Sequence, residues 1–352
     1  MIRVGVIGAS GLAGGELIRL GLQHPRIEVT FLGGSSNVGR RLPQLHPGLR
    51  VDLGVAIAEA DPDVVSQKCD VVFLATPAPV SARLADLLAD RVACVIDLSG
   101  AFRIQGEQAH QRWYPAVRRT ADLAKRFVYG VPELVPEAMA GAPLISLPGC
   151  FATAITLALH PLVTELGLDL GHVLVDGKTG SSGGGLSLRP SDLHAMRDGG
   201  VTPYAPTGHR HAAEVSEFLG TAGPGSIRSL TMSAYGVSHV RGLLASCYAF
   251  PDLPVDAREL HRAYLRSYRG HPFVRVRRHD ESLIPLPDPH AVIGSNYCDL
   301  TPLWDPDAGR LVVLAALDNL VKGAAGQAIQ ALNAHYSLNT EEGLTMQPVV
   351  PA

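Results

Sequence analysis

The opening segment Arg3-Val-Gly-Val-Ile-Gly-Ala-Ser-Gly-Leu-Ala-Gly-Gly-Glu16 constrains the fold more than any other. An apolar strand, Ile2–Ile7, runs into Gly8-x-x-Gly11-x-x-Gly14. A helix near Ala13–Leu22 follows, with Leu17, Ile18 and Leu22 on one side. A second strand, Ile27–Leu32, completes a βαβ unit of about 30 residues, the size such a crossover needs. Apolar runs at Asp70–Ala75 and Ala93–Asp97, with a helix over Ser81–Asp90 between them, continue the alternation. Strands alternating with helices predict an α/β fold with a Rossmann-type doubly wound parallel sheet.

The pattern changes at Cys150. A helix starts there and is expected to end at His160, before Pro161. Strands follow at Gly171–Gly177, Leu230–Tyr235, Leu243–Phe250, Val274–Arg278, Tyr297–Thr301 and Leu311–Leu317, with few helices between them. They predict an α+β second domain with a mixed or antiparallel sheet. Thr179–Ser187 is a Gly/Ser-rich loop too long for a simple turn. Asn319–Asn333 reads as a last helix that returns to the first domain. The expected division is 1–149 plus 319–352 for cofactor binding, and 150–318 for catalysis and oligomerisation. At 352 residues the chain is long enough for two domains of roughly 100–200 residues.

Composition narrows the function classes. Lys and Arg number 30 against 33 Asp and Glu, a balance that argues against a dedicated nucleic-acid binder. No apolar run reaches the roughly 18 residues of a membrane span. The start shows no basic segment followed by an apolar run, so no signal peptide is expected. The five cysteines are scattered and form no Cys-x-x-Cys pair, which points to reduced thiols in a cytoplasmic protein and to no metal site.

The glycine turn between strand and helix suits a pyrophosphate, whose charge the helix N-terminus favours. That reading assigns Gly8, Ser10, Gly11, Leu12 and Ala13 to a dinucleotide; the alternative is a turn whose glycines serve packing alone. The second strand ends without the acidic residue that would bind the ribose hydroxyls of NAD. It is followed instead by Ser35, Ser36, Arg40 and Arg41, groups suited to a phosphate, so NADP(H) is favoured.

Cys150 follows Pro148-Gly149 and opens a helix. A thiol there faces the positive end of the helix dipole, which favours the nucleophilic thiolate. Cys69, Cys94, Cys247 and Cys298 lie in strand-like runs and read as buried thiols. His209 and His211, in Thr207-Gly-His-Arg-His-Ala-Ala-Glu214, can serve acid–base chemistry near neutral pH. Two metal ligands would need a third His or carboxylate that no spacing supplies, and surface histidines are the alternative. The segment from Arg262 to Arg278, with Arg266, Arg269, Arg275 and Arg277 between, either steers an acidic partner or forms a solvated charged face.

Taken in order, these elements resemble the N-acetyl-gamma-glutamyl-phosphate reductase family, including its branch acting on aminoadipyl or glutamyl phosphates tethered to a small acidic carrier protein. The resemblance spans the chain through Gly8–Glu16, His46-Pro-Gly-Leu-Arg50, Asp97-Leu-Ser99 with Phe102-Arg103, Tyr129-Gly-Val-Pro-Glu133, Pro148-Gly-Cys150, Gly208–Glu214, Arg241-Gly242, Gly294-Ser-Asn-Tyr297 and Asp318–Gly323. It implies NADPH-dependent reduction of an acyl phosphate, N-acetyl-gamma-glutamyl phosphate first, to its semialdehyde through a thioester on Cys150, with His211 as acid–base. It further implies substrate contacts from Ser99, Arg103 and His209. On the cofactor it implies a nicotinamide-side contact from Asn319 and a loop with Gly180 and Ser181 that closes over the nucleotide. A homodimer or homotetramer is implied as well. Ala213 stands where the family commonly has Pro, and with Tyr204-Ala-Pro-Thr-Gly208 ahead of it points toward the carrier-linked branch. Aspartate-semialdehyde dehydrogenase and a non-catalytic NADPH-sensing regulator are the rival readings.

Overall fold

The computed structural model describes residues 1–49, 52–186, 193–278 and 285–349. Arg50 and Ser187, each at the end of a segment singled out above, lie outside them. The chain divides into two compact units: Met1–Gly149 with Ala324–Thr345, and Cys150–Gly323 with Met346–Ala352.

The first unit holds six strands: β1 (Ile2–Ile7), β2 (Ile27–Gly33), β3 (Val71–Leu74), β4 (Cys94–Asp97), β5 (Val128–Tyr129) and β6 (Leu144–Ser146). All pair in parallel in the order β2-β1-β3-β4-β6-β5. Every residue of β3, β4 and β6 is buried, as a sheet covered on both faces requires. The covering helices fall into two packing groups. Leu12–Gly21 packs with Gly326–His335, and Pro62–Lys68 packs with Ala78–Leu88. The chain leaves β1 for β2 on one side and reaches β3 on the other. The order reverses between β1 and β3, and ligands of such sheets bind outside the carboxyl ends of the strands at that point.

The second unit contains β7 (Asp169–Leu170), β8 (Val173–Thr179), β9 (Val201–Ala205), β10 (Ser226–Ile227), β11 (Leu230–Val237), β12 (Leu243–Ala249), β13 (Val274–Val276), β14 (Cys298–Asp305) and β15 (Arg310–Leu317). Seven of them form a mixed sheet in the order β13-β14-β15-β12-β8-β11-β9, and β10 and β7 pair separately. The Cys150–Thr164 helix lies on this sheet against β12 and β15, flanked by the helices Arg210–Leu219 and Ala257–Ser267. Alternate residues of β8, β11, β12 and β15 point away from those helices and are only partly covered, among them Leu174, Tyr235, Leu244, Tyr248, Val312 and Leu314.

Two helix ends differ from the sequence expectation. The Cys150 helix does not stop at His160 but runs through Pro161 to Thr164. Proline removes the N–H that would have bonded the Leu157 carbonyl. Tyr268 Oη donates to that carbonyl, and Tyr264 Oη to the next one, Ala158 O. The hydrogen bond lost to the proline is thus replaced from the end of a neighbouring helix, and the helix continues. The final helix begins late: Val321–Ala325 form a π turn, and regular α geometry starts at Gly326.

Candidate active site

Gly8 follows β1 with φ of 93°, and a Cβ there would lie 2.3 Å from the Ala75 carbonyl oxygen at the end of β3. At Gly14 a Cβ would lie 2.2 Å from Gly8 O. The glycines therefore do serve packing, and the same packing brings the backbone to the switch point. The helix N-cap is Gly11, which offers no side chain to its first amides. Those amides and the dipole suit a pyrophosphate, so the residues present fit a dinucleotide. His46 sits over Gly15 and donates from Nε2 to Ala9 O at 2.8 Å. Ser35, Ser36 and Arg40 are exposed just past β2, while Arg41 pairs with Asp52 at 3.1 Å.

At the carboxyl end of β4, Asp97 is fully buried, and burial raises its pKa against the bonds it accepts from Ser99. Its two oxygens accept from Ser99 N and Ser99 Oγ, each at 2.9 Å. Arg103 donates from Nε to Leu147 O at 2.7 Å and from Nη2 to Leu98 O at 2.6 Å. Two of its donors are thus held by backbone, which fixes the plane of the guanidinium.

In the second unit Cys150 is the first residue of its helix and partly exposed, whereas the other four cysteines are buried. Burial raises the thiol pKa of Cys94 to beyond the ordinary range and that of Cys247 to about 12, so these do not ionise near neutral pH. Phe151, one residue on, seats its ring against Gly177 of β8. Its centroid lies 5.9 Å from that of His209 and 6.2 Å from that of His211. The two imidazoles are edge to face at 4.6 Å, both buried. Folding therefore brings the two histidines to the start of the Cys150 helix.

The histidines are not equivalent. His209 caps the Arg210–Leu219 helix, its Nδ1 accepting from His211 N at 3.2 Å. Burial, with a contribution from the Arg210 charge, pushes His209 down to about 4. It is neutral near pH 7, with its proton on Nε2. No group of three or more His, Cys, Asp or Glu among the described residues could hold a metal ion.

Within the Gly/Ser-rich segment, Ser181–Gly184 form a 3-10 turn. Gly180 N bonds Gly242 O, and Ser181 N bonds His239 O. Ser181 Oγ lies 3.0 Å from His194 Nδ1, and the buried Arg197 donates to Gly180 O at 3.1 Å. Asn319 accepts from Gly242 N at 2.8 Å and donates to Ser182 Oγ at 2.9 Å. Sequence reasoning missed Phe151, Arg197 and Asp318 as site residues. Only Asp318 left a signal, as part of the Asp318–Gly323 run.

Much of the arginine-rich segment is paired within the fold. Arg275 and Arg277 both hold the buried Asp299, at 2.5 and 3.1 Å, and Arg266 bonds Glu165 and Glu259. Arg258, Arg262, Arg277 and Arg278, with His261 and Trp304, line a groove of about 490 Å³.

Residues 3–142 match the family described as semialdehyde dehydrogenase, NAD binding domain, and residues 150–319 match semialdehyde dehydrogenase, dimerisation domain. A LysW-L-2-aminoadipate/LysW-L-glutamate phosphate reductase of Sulfolobus acidocaldarius is 38% identical, covering 100% of both chains. An N-acetyl-gamma-glutamyl-phosphate reductase of Desulforudis audaxviator is 36% identical over 100% of both. Among solved structures, aspartate semialdehyde dehydrogenase II of Vibrio cholerae superposes with TM-score 0.71 at 15% identity, covering 95% of this chain and 98% of that one. The Candida albicans aspartate semialdehyde dehydrogenase, solved with NADP, gives 0.68 at 15% identity, covering 94% and 98%. These structures share the fold. The chain belongs to the semialdehyde dehydrogenase family, within the group of acyl-phosphate reductases that includes the N-acetyl-gamma-glutamyl-phosphate and LysW-linked phosphate reductases.

Proposed function

We propose that the chain reduces the gamma- or delta-acyl phosphate of an amino-protected glutamate or 2-aminoadipate to the semialdehyde, with NADPH as reductant. The observation that carries the chemistry is Cys150 at a helix N-terminus, with the ring of the next residue, Phe151, beside the buried His209 and His211. The Cys150 thiolate attacks the acyl carbon; the carbon–oxygen bond to phosphate breaks, phosphate leaves, and a thioester remains. NADPH, when bound, supplies the hydride that reduces that thioester. The resulting oxyanion, stabilised by a hydrogen bond from His211, re-forms the carbonyl as the carbon–sulfur bond breaks, and the aldehyde leaves with the thiolate restored. His209, neutral and engaged as a cap, orients His211 and lines the substrate side. Ser99 and Arg103 are assigned to the anionic groups of the substrate, with Arg103 preset by its backbone bonds. Ser35, Ser36 and Arg40 favour NADP(H) over NAD(H), and Gly180, Ser181 and Asn319 serve the nicotinamide side.

The amino group of the substrate is carried on a small protein in this reading, as the names of the LysW-linked relatives have it for those proteins. The arginine-lined groove offers an acidic carrier a complementary surface. The Desulforudis relative supports the second reading, free N-acetyl-gamma-glutamyl phosphate. We also infer a homodimer, or a homotetramer built from it, closed over the partly covered sheet face of a segment matched as a dimerisation domain. A cytoplasmic location would keep the five free thiols reduced.

The reverse reaction tests the choice. The protein is mixed with NADP+, phosphate and either free N-acetylglutamate semialdehyde or the semialdehyde on its carrier. NADPH formation only with the carrier-bound compound is expected. Faster phosphate-dependent turnover of the free compound would replace the carrier reading with the free one. Oxidation of aspartate semialdehyde alone would overturn both.

A further inference from the structure

Asp318 is fully buried at the end of β15, and its carboxylate is saturated with donors. One oxygen accepts from Leu320 N at 2.8 Å and Val321 N at 3.4 Å; the other accepts from Gly294 N at 2.8 Å and from Arg241 Nη1 at 3.4 Å. Its carbonyl accepts from Gly323 N at 2.9 Å, five residues on, a π-type bond that leads into the π turn Val321–Ala325. That bond sets Gly323 directly behind Cys150. A Cβ on Gly323 would lie 2.6 Å from Cys150 Cβ and 3.1 Å from Cys150 Cα. Contacts that short do not occur, so only glycine fits, and the turn forms a wall against the first residue of the helix. From the same hub, Asn319 ties Ser182 and Gly242.

We propose that Asp318 and Gly323 are positioning residues: the π turn that Asp318 nucleates, with Gly323 as its contact face, fixes the direction in which the Cys150 thiol leaves the helix N-terminus. The inference rests on the reading of Cys150 as nucleophile. A π turn costs regular hydrogen bonding and is rare, often marking functional positions. Here it places a residue without a side chain where a regular helix from Asn319 would place another residue. The thiol then points along the helix-terminal amides instead of being pushed off them, and misplacement of such a group by about 1 Å can cost up to about 100-fold in rate.

The test compares Gly323→Ala and Asp318→Asn with Leu300→Ala, a core truncation in β14 away from the turn. Alkylation of Cys150 by iodoacetamide is followed by mass spectrometry of its peptide across the pH range in which thiols titrate, beside kcat, KM and Tm. Gly323→Ala is expected to slow alkylation and kcat by about tenfold or more, to move the pH profile, and to leave KM within about twofold. Asp318→Asn, which keeps shape but loses an acceptor, is expected to act in the same direction and less. Leu300→Ala should lower Tm alone. Wild-type alkylation rate and pH profile in Gly323→Ala would overturn the proposal, and this variant decides should Asp318→Asn not fold. Retained turnover in Cys150→Ser would instead overturn the nucleophile reading while leaving the alkylation result standing.

Discussion

Gly8 and Gly323 show how far single positions are set by space. At Gly8 both conformation and contact exclude a side chain, since φ is 93° and Ala75 O is 2.3 Å from where a Cβ would stand. Gly8→Ala is therefore expected to destabilise the first unit by about 1–3 kcal/mol and to abolish NADPH binding, read by denaturation and by cofactor fluorescence. NADPH affinity within twofold of wild type would count against the switch-point site. For His211, exchange to Asn should lower kcat and thioester formation by about 100- to 10,000-fold, the usual worth of a general acid–base group. A change in KM alone would remove it from that role. His209 is expected to differ: His209→Asn keeps an acceptor for His211 N and should cost less activity than His209→Ala, the comparison that separates capping from proton transfer.

At the scale of elements, the Cys150–Thr164 helix shows how tertiary contacts overrule a local rule. Pro161 would end an isolated helix, yet Tyr268 donates to the Leu157 carbonyl it leaves open, with Tyr264 on the adjoining Ala158 carbonyl. Tyr268→Phe should destabilise the second unit by about 1–3 kcal/mol, because it leaves the buried Leu157 carbonyl without its donor. In a Pro161→Ala background the regained N–H takes that carbonyl, and the same exchange should cost clearly less. Urea denaturation of the four proteins measures the coupling; additive effects would disprove the compensation.

For the molecule as a whole, burial makes stability depend on acid. His110, His160 and His209 are each pushed down to about 4, in every case first by burial. In the unfolded chain histidine titrates near 6.5. Above that pH both states are neutral at these positions and stability is complete. As pH falls toward 4 the unfolded state binds protons that the native state excludes, so stability is lost, at roughly 1.4 kcal/mol per pH unit for each histidine. Asp97, raised by burial, opposes this, because the native state takes its proton first. Denaturation midpoints measured from pH 7 to pH 4 should fall steadily, and a flat profile would refute buried neutral histidines. At the same scale, if the proposed oligomer closes over the open sheet face, Leu174→Lys with Leu244→Lys should yield a monomer in size-exclusion chromatography. An unchanged elution volume would place the interface elsewhere.

The amino-acid order alone determined the alternation of elements, the Gly8–Gly14 turn, the helix opening at Cys150 and the candidacy of the two histidines. Each of these is written in neighbouring residues: a period of apolar side chains, glycines at a strand end, a Pro-Gly before a thiol. The family likeness, spread over the chain, was legible for the same reason. Tertiary structure alone decided that Pro161 does not stop its helix, because the rescuing tyrosines lie over 100 residues away. It also decided that His209 caps the Arg210–Leu219 helix, and that Arg275 and Arg277 hold Asp299. The wall that Gly323 makes behind Cys150 belongs there too. Such outcomes depend on distances between residues remote in sequence and on the burial those distances create, and neither quantity exists until the chain has folded.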